Sequence, residues 1–134
     1  MENRGSLQQL VLITGDIITL AIVTLIGFVS HGTADTAGSR MLTTFIPLVV
    51  AWFLFAPFMQ VYDTQKILDG RQLWRPLWAM ILASPMAAWL RGLMLNSPIL
   101  PVFVIILGGV SAVAILVWRG IFWLAATRIK RVNG

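Results

Sequence analysis

Cysteine is absent from the chain, and histidine occurs once, at His31. The first absence excludes disulfides and thiolate metal sites. The second excludes an all-histidine metal centre within one chain. Charge is scarce as well: Asp, Glu, Lys and Arg make up 11% of 134 residues, against 58% hydrophobic ones. A soluble domain carries about 25% charged residues, so this chain has too few polar side chains to cover a water-facing surface. No GxSxG elbow, P-loop, HExxH or GxGxxG motif occurs, and Ser84 and Ser111 have no histidine at a matching depth. No catalytic activity and no cofactor are therefore expected. The net charge of +5 does not point to nucleic acid, because the basic residues stand at the ends of apolar runs, where they anchor helices.

Long apolar sequence is what the chain has in abundance, with a mean hydropathy of +0.86. A membrane-crossing helix needs about 20 mainly apolar residues, and four segments qualify: about 7–29, 41–62, 74–95 and 99–126. The breaks between them carry turn chemistry: SHGTADTAGSR at 30–40, DTQKILDGRQL at 63–73 with its Asp69-Gly70 dipeptide, and NSPILP at 96–101. Short connections make consecutive spans antiparallel neighbours. Strands of a membrane barrel require alternating polarity, which Ile46–Met59 and Val102–Trp118 lack. The expected fold class is thus all-α: residues 1–134 as one integral membrane domain, a four-helix up-down bundle. Leu7–Val29 is read as a retained span and not a cleaved leader, since it holds Asp16 and is followed by Ser30-His31-Gly32 in place of a small-x-small cleavage site.

Orientation follows from Lys and Arg. Arg4, Lys66, Arg71, Arg75, Arg128, Lys130 and Arg131 are seven of the ten basic residues, and all fall at the N-terminus, in or beside the second connection, or at the C-terminus. The positive-inside rule puts those regions, and hence both termini, in the cytoplasm. Trp74, Trp78, Trp118 and Trp123 fall near the same membrane face, as an aromatic belt requires. Trp52 and Trp89 lie deeper and are read as packing residues. Pro47, Pro57 and Pro85 interrupt the second and third spans and mark kinks. The two halves show no repeat of the inverted-transporter kind.

Away from the span ends, three charged residues fall inside the spans: Asp16, Arg91 and Arg119. Each costs about 2.5–3.5 kcal/mol near mid-membrane and should face the interior or a partner. At 1.5 Å per residue, Asp16 lies roughly 13 Å and Arg119 roughly 10 Å above the cytoplasmic side, while Arg91 lies about 6 Å from the opposite one. On the fourth helix Gly108, Ala112 and Arg119 share a face within about 40°, and Gly108-xxx-Ala112 is a small-xxx-small patch suited to close approach. Gln9, Asp16 and Gly27 share a stripe on the first helix; Ser84, Ala87, Ala88 and Arg91 share one on the third. Two arrangements follow. Either Asp16 and Arg119 form an ion pair inside the bundle, or Arg119 reaches the headgroups and Asp16 bonds Thr19, Gln9 or water. Arg91 is expected at the outer interface, on Asp35 or on a lipid phosphate. His31 is read as a helix-end capping or interfacial residue, with a proton relay or a tetrapyrrole ligand as the alternatives. Lys66 and Asp69 read as a solvated loop pair.

The set Gly15-Asp16, Ile26-Gly27-x-x-Ser30-His31-Gly32, Leu90-Arg91 and Trp118-Arg119 resembles an uncharacterised prokaryotic family of small four-span membrane proteins, a domain of unknown function, over roughly residues 12–120. Members of that family commonly read Gly-Arg-x-Ser-His before the histidine. Here Phe28 stands where the arginine would, so a role that needs a cation beside His31 is not carried over. The resemblance implies a four-helix membrane protein with the same charged positions, and it implies no activity. An accessory, assembly or scaffold component of the cytoplasmic membrane is the leading expectation, in contact with lipids, other membrane subunits or further copies of itself. The rival is a small oligomeric transporter or proton-coupled channel.

Overall fold

Uninterrupted apolar sequence between turn-forming clusters yields helices wherever backbone groups cannot bond to solvent. The computed structural model describes residues 2–30, 38–63, 66, 69–96, 98 and 101–133. Among these residues four α-helices follow one another: α1 Glu2–Ser30, α2 Gly38–Phe55, α3 Trp74–Leu95 and α4 Pro101–Asn133, with a short 3-10 turn at Gly70–Leu73 leading into α3. The helices form a ring: the backbone of α1 runs beside α2 and α4, and that of α3 beside the same two, with no close backbone approach across either diagonal among the described residues. Contacts at successive levels run in opposite directions along neighbours. Arg75 meets Met59 at one end of the α2–α3 pair and Arg91 meets Thr44 at the other. Trp123 faces Gly70, and Gly108 faces Ser84 further along. The neighbours are therefore antiparallel, and the fold is an all-α up-down bundle.

Polarity is arranged inside out. Small residues and a few large ones fill the interior, among them Leu48, Trp52, Ala79, Ala83 and Ile115, while Ile22, Leu25, Val102, Ile105, Val113 and Val117 lie on the surface. Only 22% of the apolar window of α4 is buried. A soluble protein does not expose a continuous belt of this kind. By length and composition three helices can cross a membrane, within Gly5–Gly27, Gly70–Leu95 and Val104–Ile129; the apolar part of α2, Met41–Phe55, is shorter.

The second apolar stretch, read as one span over 41–62, is α-helical only to Phe55. Pro57 is the cause, since it disfavours helical backbone at the preceding residue and cannot donate a ladder bond. The chain makes one more tight turn and then closes it. Gln60 N donates to Pro57 O at 3.1 Å and Val61 N to Ala56 O at 3.2 Å, with Gln60 in the left-handed region at φ 57°. That pair of bonds is a Schellman closure, in which glycine normally takes the left-handed position. Pro47 and Pro85, in contrast, lie inside helices that continue through them.

Two glycines set helix approach. A Cβ on Gly108 would lie 2.8 Å from Ser84 Oγ, so the small patch on α4 serves contact with α3. A Cβ on Gly15 would lie 2.0 Å from Cζ2 of the Trp118 indole, so α1 rests directly on that ring. Gly15→Ala should lower stability by about 1–3 kcal/mol through overpacking, and shrinking the ring with Trp118→Leu should recover part of the loss. Thermal unfolding in detergent checks this; an unchanged midpoint in Gly15→Ala would refute the close approach. Gly27 carries no such contact, as a Cβ there meets nothing within 4 Å. Of the two deeper tryptophans, Trp52 is fully buried as a packing residue, but Trp89 is 49% exposed and faces outward. Its position along α3 was legible, its azimuth was not.

Candidate functional site

The polar interior is built from three segments. α1 supplies Asp16, α4 supplies Arg119, and the turn that closes α2 supplies Val61 and Tyr62. Asp16 is wholly buried and Arg119 is 5% exposed. Their charged groups meet in a side-on fork: Arg119 Nη2 donates to Asp16 Oδ2 at 2.7 Å and Nε to Oδ1 at 3.2 Å. The third guanidinium nitrogen, Nη1, donates to the Val61 carbonyl at 2.7 Å. Such planar, multi-point pairing is what makes arginine, and not lysine, the suitable partner for a buried carboxylate.

Tyr62 completes the carboxylate's surroundings. Its hydroxyl donates to Asp16 Oδ2 at 2.5 Å and accepts from Trp52 Nε1 at 2.9 Å. The ring is held between Phe53, stacked at 6.2 Å between centroids, and Arg119, whose Cζ lies 5.0 Å over it. Gln9 Nε2 donates to the Tyr62 carbonyl at 2.9 Å and fastens the turn to α1. Asp16 thus accepts three hydrogen bonds from two side chains and carries one compensating charge. The chemistry of the arrangement is that of a clasp: each polar group is turned toward another protein group.

The alternative in which Arg119 reaches the headgroups does not occur, because its guanidinium is committed to Asp16 and Val61. Nor does Asp16 use the other partners considered for it: Thr19 donates to the Gly15 carbonyl and Gln9 to Tyr62. Arg91 stands apart from the clasp. Its Nε donates to Thr44 Oγ1 at 3.1 Å, which ties α3 to α2 near the far end of the bundle. His31 and Asp35 lie outside the described residues. Lys66 and Asp69 are not a pair. Lys66 Nζ lies 3.9 Å from Asp63 and also donates to Gln60 Oε1, while Asp69 Oδ1 accepts from Arg71 N and caps the 3-10 turn. Among the described residues no three metal-ligating side chains converge.

Tyr62 and Val61 had no reading in the sequence. One signal was available: Tyr62 is the only tyrosine in the chain, and it follows Pro57 closely enough to lie past a helix end rather than on a lipid-facing turn.

A ring of apolar antiparallel helices, with a buried acid on the first clasped by an arginine on the last, defines a helical bundle of membrane type. The chain belongs to the family described as protein of unknown function (DUF3054), whose model matches residues 13–122. That match begins just before Gly15-Asp16 and ends just after Trp118-Arg119, so both halves of the clasp lie within it. No curated protein and no solved structure matches the chain.

Proposed function

We propose that the protein is a four-span component of a prokaryotic cytoplasmic membrane, with both termini in the cytoplasm, that acts without catalysis as an accessory, assembly or scaffold subunit. The observation that carries this reading is the closure of the clasp. A conduction or proton path needs ionisable groups facing a water-filled passage. Here Asp16, Arg119 and Tyr62 face one another, and the cavity of about 20 Å³ beside Arg119, room for one water, is lined by neither Asp16 nor Tyr62. Four spans are supported by α2 and the turn that closes it: the helix Gly38–Phe55 rises about 27 Å, close to the thickness of the hydrocarbon layer, and the chain continues past it to Val61. The cytoplasmic orientation is supported by the basic residues of the second connection and of both chain ends.

Purification in mild detergent with mass analysis of co-purifying chains tests the role. A stable foreign membrane subunit is the expected result. A pure homo-oligomer that carries ion flux in liposomes would overturn the reading in favour of a small oligomeric transporter or proton-coupled channel, which four helices could form only by assembling around a shared pore. The topology has its own test: a reporter fused at Gly134 should read cytoplasmic, and an extracytoplasmic signal refutes it.

A further inference from the structure

The lipid-facing zones of the four helices do not line up. Gly108 and Ser84 stand at one height, since a Cβ on Gly108 would lie 2.8 Å from Ser84 Oγ. From that level toward the 63–73 connection, α4 keeps exposed apolar side chains at Val113, Val117, Ile121 and Leu124. At about 1.5 Å per residue Leu124 lies about 24 Å from the common level, whereas α3 reaches the charged Arg75 after only about 13.5 Å. Toward the other end the order reverses: Val102 lies about 9 Å from the same level and Leu95 about 16.5 Å. α1 keeps to α4, because Gly15 rests on Trp118. Exposed Leu7 lies about 12 Å beyond Gly15, much as Leu124 lies about 9 Å beyond Trp118. α2 keeps to α3, because Arg75 Nη1 donates to Met59 O. The apolar part of α2 covers only Met41–Phe55, about 21 Å along its axis.

On the connection side the polar boundary therefore sits about 10 Å higher along α2 and α3 than along α1 and α4, and at the far end the offset is about 7 Å. A flat bilayer perpendicular to the helices would put either Arg75, with Lys66 and Asp69 beside it, in hydrocarbon or Leu7 and Leu124 in water. Leaning accounts for part of the mismatch. The exposed run Val102–Leu124 is about 33 Å long and fits a hydrocarbon layer of about 30 Å at a tilt of about 25°, within the range of membrane helices. With helix axes about 10 Å apart, that tilt shifts the boundary by about 5 Å between the two helix pairs. Most of the far-end offset is met in this way, but only half of the one on the connection side.

We propose that the bundle leans in the bilayer and that its α2–α3 face thins the leaflet on the connection side, where lipid headgroups rise about 5 Å further than the tilt alone brings them. A span shorter than the local hydrocarbon draws the leaflet inward in preference to taking polar groups into it. The headgroups then meet α2 and α3 at Phe58 and Arg75, while Leu7 and Leu124 on the opposite pair stay in acyl chain. The short apolar part of α2 is the second sign of the same thinning, since it lies on the face where the leaflet is thinnest. The partner of this surface is the lipid leaflet itself, and the surface deforms what it binds. This inference rests on the membrane reading proposed above and not on the accessory role.

The test compares two side chains at one height. Val117 is as far from Gly108 as Arg75 is from Ser84, and Phe58 adjoins Met59, whose carbonyl Arg75 holds. Val117 and Phe58 are 57% and 84% exposed. Because cysteine is absent, Val117→Cys and Phe58→Cys each give the full chain a single nitroxide site. Reconstitution in palmitoyl-oleoyl phosphatidylcholine vesicles, with depth read from collisions with oxygen and with a water-soluble nickel chelate, measures the boundary on each face. The label at 117 should lie about 10 Å deeper than the label at 58. A gap of about 5 Å is what tilt alone supplies and would overturn the thinning. Equal depths would overturn the tilt as well. Two labels that both read as aqueous would overturn the membrane reading beneath the inference, whatever chain co-purifies. Should Val117→Cys fail to fold, Thr14→Cys carries the same comparison from α1, where Thr14 is exposed beside Gly15.

Discussion

Replacing Arg119 with glutamine should destabilise the folded chain by about 3–5 kcal/mol, the cost of leaving a buried charge without its partner. Asp16 is fully buried and has Arg119 as its only ion-pair partner among the described residues. The Val61 carbonyl loses its donor in the same substitution. Removing the acid as well should recover most of the loss, because the double variant Asp16→Asn/Arg119→Gln buries no net charge and its two amides can bond each other. Exchanging the two charges is the weaker test. An aspartate at 119 would face the Val61 carbonyl, and an arginine at 16 could not take the place of that donor, so the swap should rescue less than the neutral pair. Equilibrium unfolding in mixed micelles gives all four corners of the cycle. If the single costs simply add, the two side chains are not coupled and the clasp is wrong.

Tyr62→Phe should cost about 2 kcal/mol while leaving the ring's packing on Phe53 and Arg119 intact. The hydroxyl is both a donor to Asp16 and the acceptor for Trp52 Nε1. Hydrogen bonds between membrane helices average only about 0.6 kcal/mol, because the separated helices also find partners. Loss of the bond to the carboxylate alone would therefore be a small effect. The larger part comes from Trp52, which is wholly buried and is left with an unpaired indole N–H, at about 1–3 kcal/mol. This division is measurable: in a Trp52→Phe background the same Tyr62→Phe change should cost less than half as much. Equal costs in both backgrounds would show that the Trp52 bond contributes nothing.

Both effects depend on the short segment after α2, and that segment divides what was legible from what was not. The heights of Asp16 and Arg119 could be counted along straight helices, and the structure brings their charged groups to 2.7 Å. The small-residue patch on α4 was legible too, but not its neighbour. Gly108 meets α3, while Arg119, on nearly the same face, extends to α1. α4 is wedged between the two, and a difference of a few tens of degrees decides which helix a side chain meets.

By itself the sequence determined the quantities that are one-dimensional. Run length and turn clusters set four helices, the scarcity of charge set a lipid-facing surface, and rise per residue set the depth of the buried charges. Only the tertiary structure decided which groups close around them. Asp16 and Arg119 are 103 residues apart and Tyr62 is 46 from Asp16, so their meeting depends on helix rotation and on how α2 ends. Pro57 stops that helix, and Gln60 turns the chain back so that Val61 and Tyr62 point into the bundle. A left-handed glutamine has no signature in composition or periodicity, since it is held there by contacts the fold itself creates.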